Sequence, residues 1–195
     1  MVKIEDRILN RGGNVKLKTN RIEALTDGIF AIVMTIMIVS MSELLKTNNF
    51  SKEADYCILF TSLWDDFASY AISFMLLGVL WLAHHWQFQH ISYIDPPLVF
   101  INIIWFMFIC LIPYSTMMLG DHPDFFAPVL AFECNILIVF LILYVQWTYV
   151  TKRKHLIGPS LDQNTISRQR NIMLSPIIIT IAAITISYGY HMFRR

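Results

Sequence analysis

The sequence predicts an all-α, polytopic membrane fold, and three observations carry that prediction. Charged residues make up 15% of the chain, against about a quarter in soluble domains, while hydrophobic ones make up 56%. The charges are segregated. Phe67–Ile94 and Pro96–Gly120 contain no Asp, Glu, Lys or Arg, and each run is long enough to cross a bilayer core of about 30 Å. The apolar runs do not divide into the short alternating units of a membrane barrel. No internal repeat, low-complexity tract or soluble domain interrupts them, so residues 1–195 read as one transmembrane domain.

Five spans follow from this pattern. The first, about Ile22–Leu45, begins beside Arg21, carries Glu23 and Asp27, and then runs uncharged from Gly28 to Ser42. The second, about Leu63–Gln89, ends in the aromatic and histidine-rich stretch WLAHHWQFQH, residues 81–90. The third, about Ile94–Leu119, opens at Pro96-Pro97 and contains Pro113, which should bend the helix and free a carbonyl. The fourth, about Phe125–Val150, follows the turn Asp121-His122-Pro123-Asp124 and holds Glu133 and Asn135. The fifth, about Ile172–Phe193, contains Pro176, with the same consequence.

Basic residues orient these spans. Lys3, Arg7, Arg11, Lys16, Lys18 and Arg21 crowd the N-terminal segment, which lacks the apolar core of a signal peptide. Lys152, Arg153, Lys154, Arg168 and Arg170 crowd the segment after the fourth span. Both segments are therefore expected on the cytoplasmic side of a cell membrane. The mixed segment Lys46, Lys52, Glu53, Asp55, Asp65, Asp66 and the turn at 121–124 are expected outside. Arg194 and Arg195 then also fall outside, against the rule. A net charge of +1 gives no reason to expect a nucleic-acid partner. Cys57, Cys110 and Cys134 form no disulfide framework, and the two in apolar runs read as buried free thiols.

No serine elbow, Walker loop, HExxH or glycine-rich phosphate cradle is present, so the chain does not read as an enzyme. The histidines of the second span are the metal candidates. His85 and His90 are off the same-face helical spacing and the cysteines lack companions, so no metal and no cofactor is expected. Histidines and tryptophans at a membrane interface ordinarily serve hydrogen bonding instead. Asn102 and Asn135 are typical hydrogen-bonding groups between helices.

The first span divides into two faces. At about 100° per residue, Leu25, Gly28, Ile32, Thr35, Ile36 and Val39 share an arc of about 100°, and Asp27 lies about 140° from Ile32. A branched aliphatic face with one hydroxyl thus stands away from the acid. Such a face suits lipid or packing against neighbours. Several copies around an axis could instead line a pore with hydrophobic rings that gate by dewetting. An ionised group at the depth of Asp27 calls for a partner. Glu23 repels it at i,i+4 spacing and Arg21 is on the wrong side, which leaves a histidine or another polar group from a different span.

The sequence Arg21-x-x-x-Leu25-Thr26-Asp27-Gly28 resembles the first-helix signature of the transmembrane protein 175 family, arginine-x-x-x-Phe-Ser-Asp. Ser73-Phe74, Trp81, His84-His85, Asn102, Pro113-Tyr114 and Asn135 extend the resemblance, which points to the single-repeat prokaryotic branch. It implies a homotetrameric, potassium-permeable channel lined by the first helix. Its pore constriction falls eleven residues after Arg21, on Ile32, with further layers at Ile36 and Val39 and an ion-selecting threonine at Thr35. It also implies a supporting network of Arg21, Asp27 and a second-span histidine, His84 or His85. Prokaryotic members carry six spans where this chain shows five, which leads to the expectation of a missing last span. Two other functions compete: a proton-coupled secondary transporter using Glu133 and the histidines, and an intramembrane enzyme built on His84, His85 and Asp27.

Overall fold

Asp95 followed by two prolines is a helix start written into the sequence, since proline at the first helical positions has no N–H to lose. In the computed structural model Asp95 is the N-cap of a helix at Pro96–Cys110, its carboxylate accepting from the Leu98 N–H at 3.1 Å. The structure describes residues 8–9, 15–16, 19–46, 53–121, 124–153, 155–157 and 161–194, without the side chains of 8, 9, 15, 16, 40–46, 53–63, 65, 66 and 121. The basic residues Lys3, Arg7, Arg11, Lys18 and Lys154, the loop residue Lys52, Pro123 and Arg195 lie outside the described residues, as does the Cys57 side chain.

Among the described residues, six α-helices follow a two-residue antiparallel pairing of β1 (Ile8–Leu9) with β2 (Val15–Lys16), a feature that hydropathy gives no reason to expect. The helices are α1 (Asn20–Lys46), α2 (Glu53–Phe88), α3 (Pro96–Cys110), α4 (Ile112–Asp121), α5 (Phe126–Lys152) and α6 (Gln163–Phe193). Five candidate spans result, because α3 and α4 together form the single apolar run Pro96–Gly120. Their exposed flanks are apolar, as a bilayer requires. The chain is a multi-pass helical membrane protein.

Both internal prolines act as their chemistry demands, with different outcomes. Pro113 has no N–H for the Ile109 carbonyl, and the third span breaks into α3 and α4 at Leu111, whose N–H turns back to Ile109 and Phe108. Pro176 leaves the Ile172 carbonyl without its usual donor, yet α6 continues through it. The Ser175 hydroxyl donates to that carbonyl at 2.8 Å, a local substitution that lets the helix persist.

Within the bundle α5 packs on α3, α4 and α6, while α1 packs on α2, α3 and α4. Buried amides join the helices. Gln87 of α2 accepts from Gln146 of α5 at 3.0 Å and donates to the Leu143 carbonyl at 3.1 Å. At one end of the bundle Asp95 also accepts from Tyr149 at 2.7 Å and Arg153 at 2.9 Å, clipping the segment before α3 to the end of α5. Ser92 N–H donates to the Leu156 carbonyl at 2.8 Å and strengthens the same join. Cys110 departs from the expected buried thiol. It is exposed, because it lies on the outer side of α3 just before the break, whereas Cys134 is half-buried.

Candidate functional site

α1 buries one stripe and exposes another. Ile22, Thr26, Phe30, Val33 and Met37 recur at helical spacing and are at most 6% exposed, packed against α2, α3 and α4. The Thr26 hydroxyl donates to the Ile22 carbonyl at 2.8 Å, so this apolar seam contains no stranded donor. On the other side Ile32 is 60% exposed, Val39 57% and Ile36 49%, with Leu25 at 48% above them. Thr35 is exposed between them, and its hydroxyl donates to the Ile32 carbonyl at 2.8 Å while its oxygen keeps acceptor capacity. From Leu25 to Val39 this face runs about 21 Å along the helix axis.

Asp27 finds its partner on α2. The indole N–H of Trp81 donates to Asp27 Oδ1 at 2.8 Å. The same indole lies flat on His85, with ring centroids 5.2 Å apart and planes 7° from parallel, and His85 contacts Gln89 at 3.1 Å. The acid is thus joined through a tryptophan to a histidine rather than bonded to it. Sequence reasoning looked for a histidine or another polar group from a different span and missed Trp81 as the donor. The available signal was that an indole is donor-only and needs an acceptor when partly buried.

His84 belongs to a different cluster. It is 1% exposed, and its ring is stacked between Phe88 at 4.3 Å and Trp105 at 4.6 Å. Asn102 donates to the Leu98 carbonyl at 2.8 Å through Nδ2, which leaves Oδ1 to accept at 2.8 Å from His84 Nε2–H. Trp105 in turn packs on Phe30 of the buried α1 stripe at 5.6 Å. Arg21 stands exposed at the start of α1. The structure therefore connects Asp27 with His85, sets His84 apart, and braces α1 at two heights.

Trp81→Phe keeps an aromatic ring against His85 and removes only the N–H to Asp27. A loss of about 1 kcal/mol is expected, measured as a lower melting temperature in detergent. Combined with Asp27→Asn, the two losses should add to less than their sum, because both remove the same bond.

Glu133 of α5 accepts from Ser187 of α6 at 2.7 Å. Asn135 donates to Ser115 of α4 at 3.3 Å, and Ser73 donates to Thr116 at 3.1 Å. Among the described residues no group of three or more His, Cys, Asp or Glu is arranged to hold a metal ion.

Residues 21–113 match the family described as the endosomal/lysosomal potassium channel TMEM175, a stretch that starts at Arg21 and ends at the break in the third span. Over this stretch, just under half of its length, the chain is similar to the TMEM175 family. A Streptomyces collinus protein named as a potassium channel is 28% identical over 149 residues, covering 74% of this chain and 70% of its own length. One from Chamaesiphon minutus, also named a potassium channel, is 22% identical over 152 residues, covering 76% and 74%. The crystal structure of a Chamaesiphon minutus homolog, described as a lysosomal potassium-selective channel TMEM175 homolog, superposes with a TM-score of 0.61 at 20% identity. It covers 88% of this chain and 90% of that one, a likeness of fold. The matched stretch contains the exposed face of α1, Asp27, Trp81, His84, His85 and His90. Glu133 and α6 lie beyond it.

Proposed function

We propose that copies of this chain assemble as a homotetramer around a pore lined by α1 and conduct potassium ions across a cell membrane, with the N-terminus cytoplasmic. The observation that carries this reading is the exposed aliphatic face of α1, held away from the bundle by a fully packed stripe on the same helix. A face seated by its own back is positioned to meet its symmetry copies. Potassium-channel relatives along the same stretch support it.

In this arrangement Ile32, Ile36 and Val39 form successive rings roughly 4.5–6 Å apart along the axis. A narrow aliphatic ring offers ions no substitute for hydration water, so passage depends on whether the constriction is wetted. Thr35, between the first two rings, supplies hydroxyl oxygens at that level and contributes ion selection. The Asp27–Trp81 bond and the His85 stack set the rotation of α1, and Arg21 fixes its cytoplasmic end. These groups act on the helix, not on the ion.

The test is ion flux in liposomes containing the purified chain. Potassium flux that follows the electrochemical gradient and does not saturate as a carrier does is expected. Saturable, pH-coupled uptake abolished by Glu133→Gln would establish the transporter instead.

A further inference from the structure

The start of α5 and the end of α6 enclose a cavity of about 310 Å³ that the conduction reading does not use. Its lining includes Asp124, Phe126, Ser187, Tyr190, His191 and Arg194. We propose that it binds a phosphoethanolamine headgroup, supplied by a phosphatidylethanolamine lipid.

The rim explains why a zwitterion fits. Arg194 and Asp124 approach at 3.4 Å, and their side chains are 60% and 82% exposed. A single long contact between two solvated groups is weak, so it exchanges readily. A purely anionic ligand would take Arg194 and leave its charge facing Asp124. A headgroup with both charges replaces each partner with one of the same sign, phosphate for Asp124 and ammonium for Arg194.

The wall favours the ammonium end. His191 stacks on Phe126 with centroids 4.9 Å apart and planes 13° from parallel, and Tyr188 meets the edge of Phe126 at 6.0 Å. An aromatic wall attracts a cation through its π face. The rim then selects a primary ammonium over a methylated one. Asp124 Oδ1 accepts from Arg194 at 3.4 Å, and an ammonium N–H replaces that donor where a choline methyl does not. The cavity also sits where two spans end, at the depth of lipid headgroups, and exposed Tyr190 and Phe193 are the aromatic residues common at that depth.

The experiment is native mass spectrometry of the full chain, delipidated in detergent and offered phosphatidylethanolamine, phosphatidylcholine or phosphatidylglycerol of identical acyl chains. Preferential retention of phosphatidylethanolamine, by about tenfold, is expected. Asp124→Asn should reduce the preference over phosphatidylcholine, and Arg194→Gln should weaken retention of both zwitterionic lipids. Soluble glycerophosphoethanolamine serves as the free-headgroup arm, and its displacement of bound lipid confirms that the headgroup is read. Binding of the soluble compound without retention of the lipid would overturn the lipid assignment. Equal retention of phosphatidylethanolamine and phosphatidylcholine by the unmodified chain, or a preference for phosphatidylglycerol, would overturn the site, and neither outcome depends on a variant folding. Ion flux is read separately, so failure here leaves the channel proposal standing.

Discussion

Ile32→Asn is expected to raise potassium flux in liposomes by about tenfold and to weaken discrimination against sodium. Ile32 is the most exposed of the three aliphatic residues assigned to the constriction, at 60%. An amide at that position hydrogen-bonds water where an isoleucine expels it, so a ring of asparagines stays wetted. Each 1.4 kcal/mol removed from the barrier to dehydrated passage is worth about tenfold in rate. The control is Ile178→Asn on α6, where the residue is 64% exposed but far from α1 in sequence and on a different helix. It should leave flux unchanged. If Ile32→Asn also leaves flux unchanged, the constriction lies elsewhere.

The second large effect concerns stability. His84→Ala is expected to destabilise the protein by about 3 kcal/mol, because it opens a cavity between Phe88 and Trp105 and strands Asn102 Oδ1 in the interior. His85→Ala, one residue away, should cost well under half as much. His85 is half-buried, and its loss leaves the Trp81–Asp27 bond in place. Melting temperatures in one detergent, measured side by side, decide the comparison. Equal losses for the two variants would contradict the separation of the two clusters. A loss of flux in His84→Ala without a change in melting temperature would assign this histidine a direct part in conduction.

These two histidines show where sequence reasoning stops. HisHis at 84–85 reads as two equivalent polar groups near a membrane interface, and either could have faced Asp27. Which one enters the core depends on the rotation of α2 against α3, which Asn102 and Trp105 complete from another helix. The same holds for Glu133. Its depth in the fourth span was visible, but Ser187 lies 54 positions further on and carries no local mark of the pairing. Pro113 and Pro176 were indistinguishable as helix breakers. Ser175 alone separates them, because a hydroxyl one residue earlier covers the carbonyl that proline exposes.

The sequence by itself determined the five apolar spans, their order and the division of the first helix into an acidic side and an aliphatic one. Those features follow from properties of single segments: the absence of charge over a membrane's thickness, and the fixed angular period of a helix. Only the tertiary structure decided which side of α1 is packed and which is left exposed, that Trp81 holds Asp27, and which histidine is core. Those depend on which segments meet, and contact across the bundle is a property of no single segment.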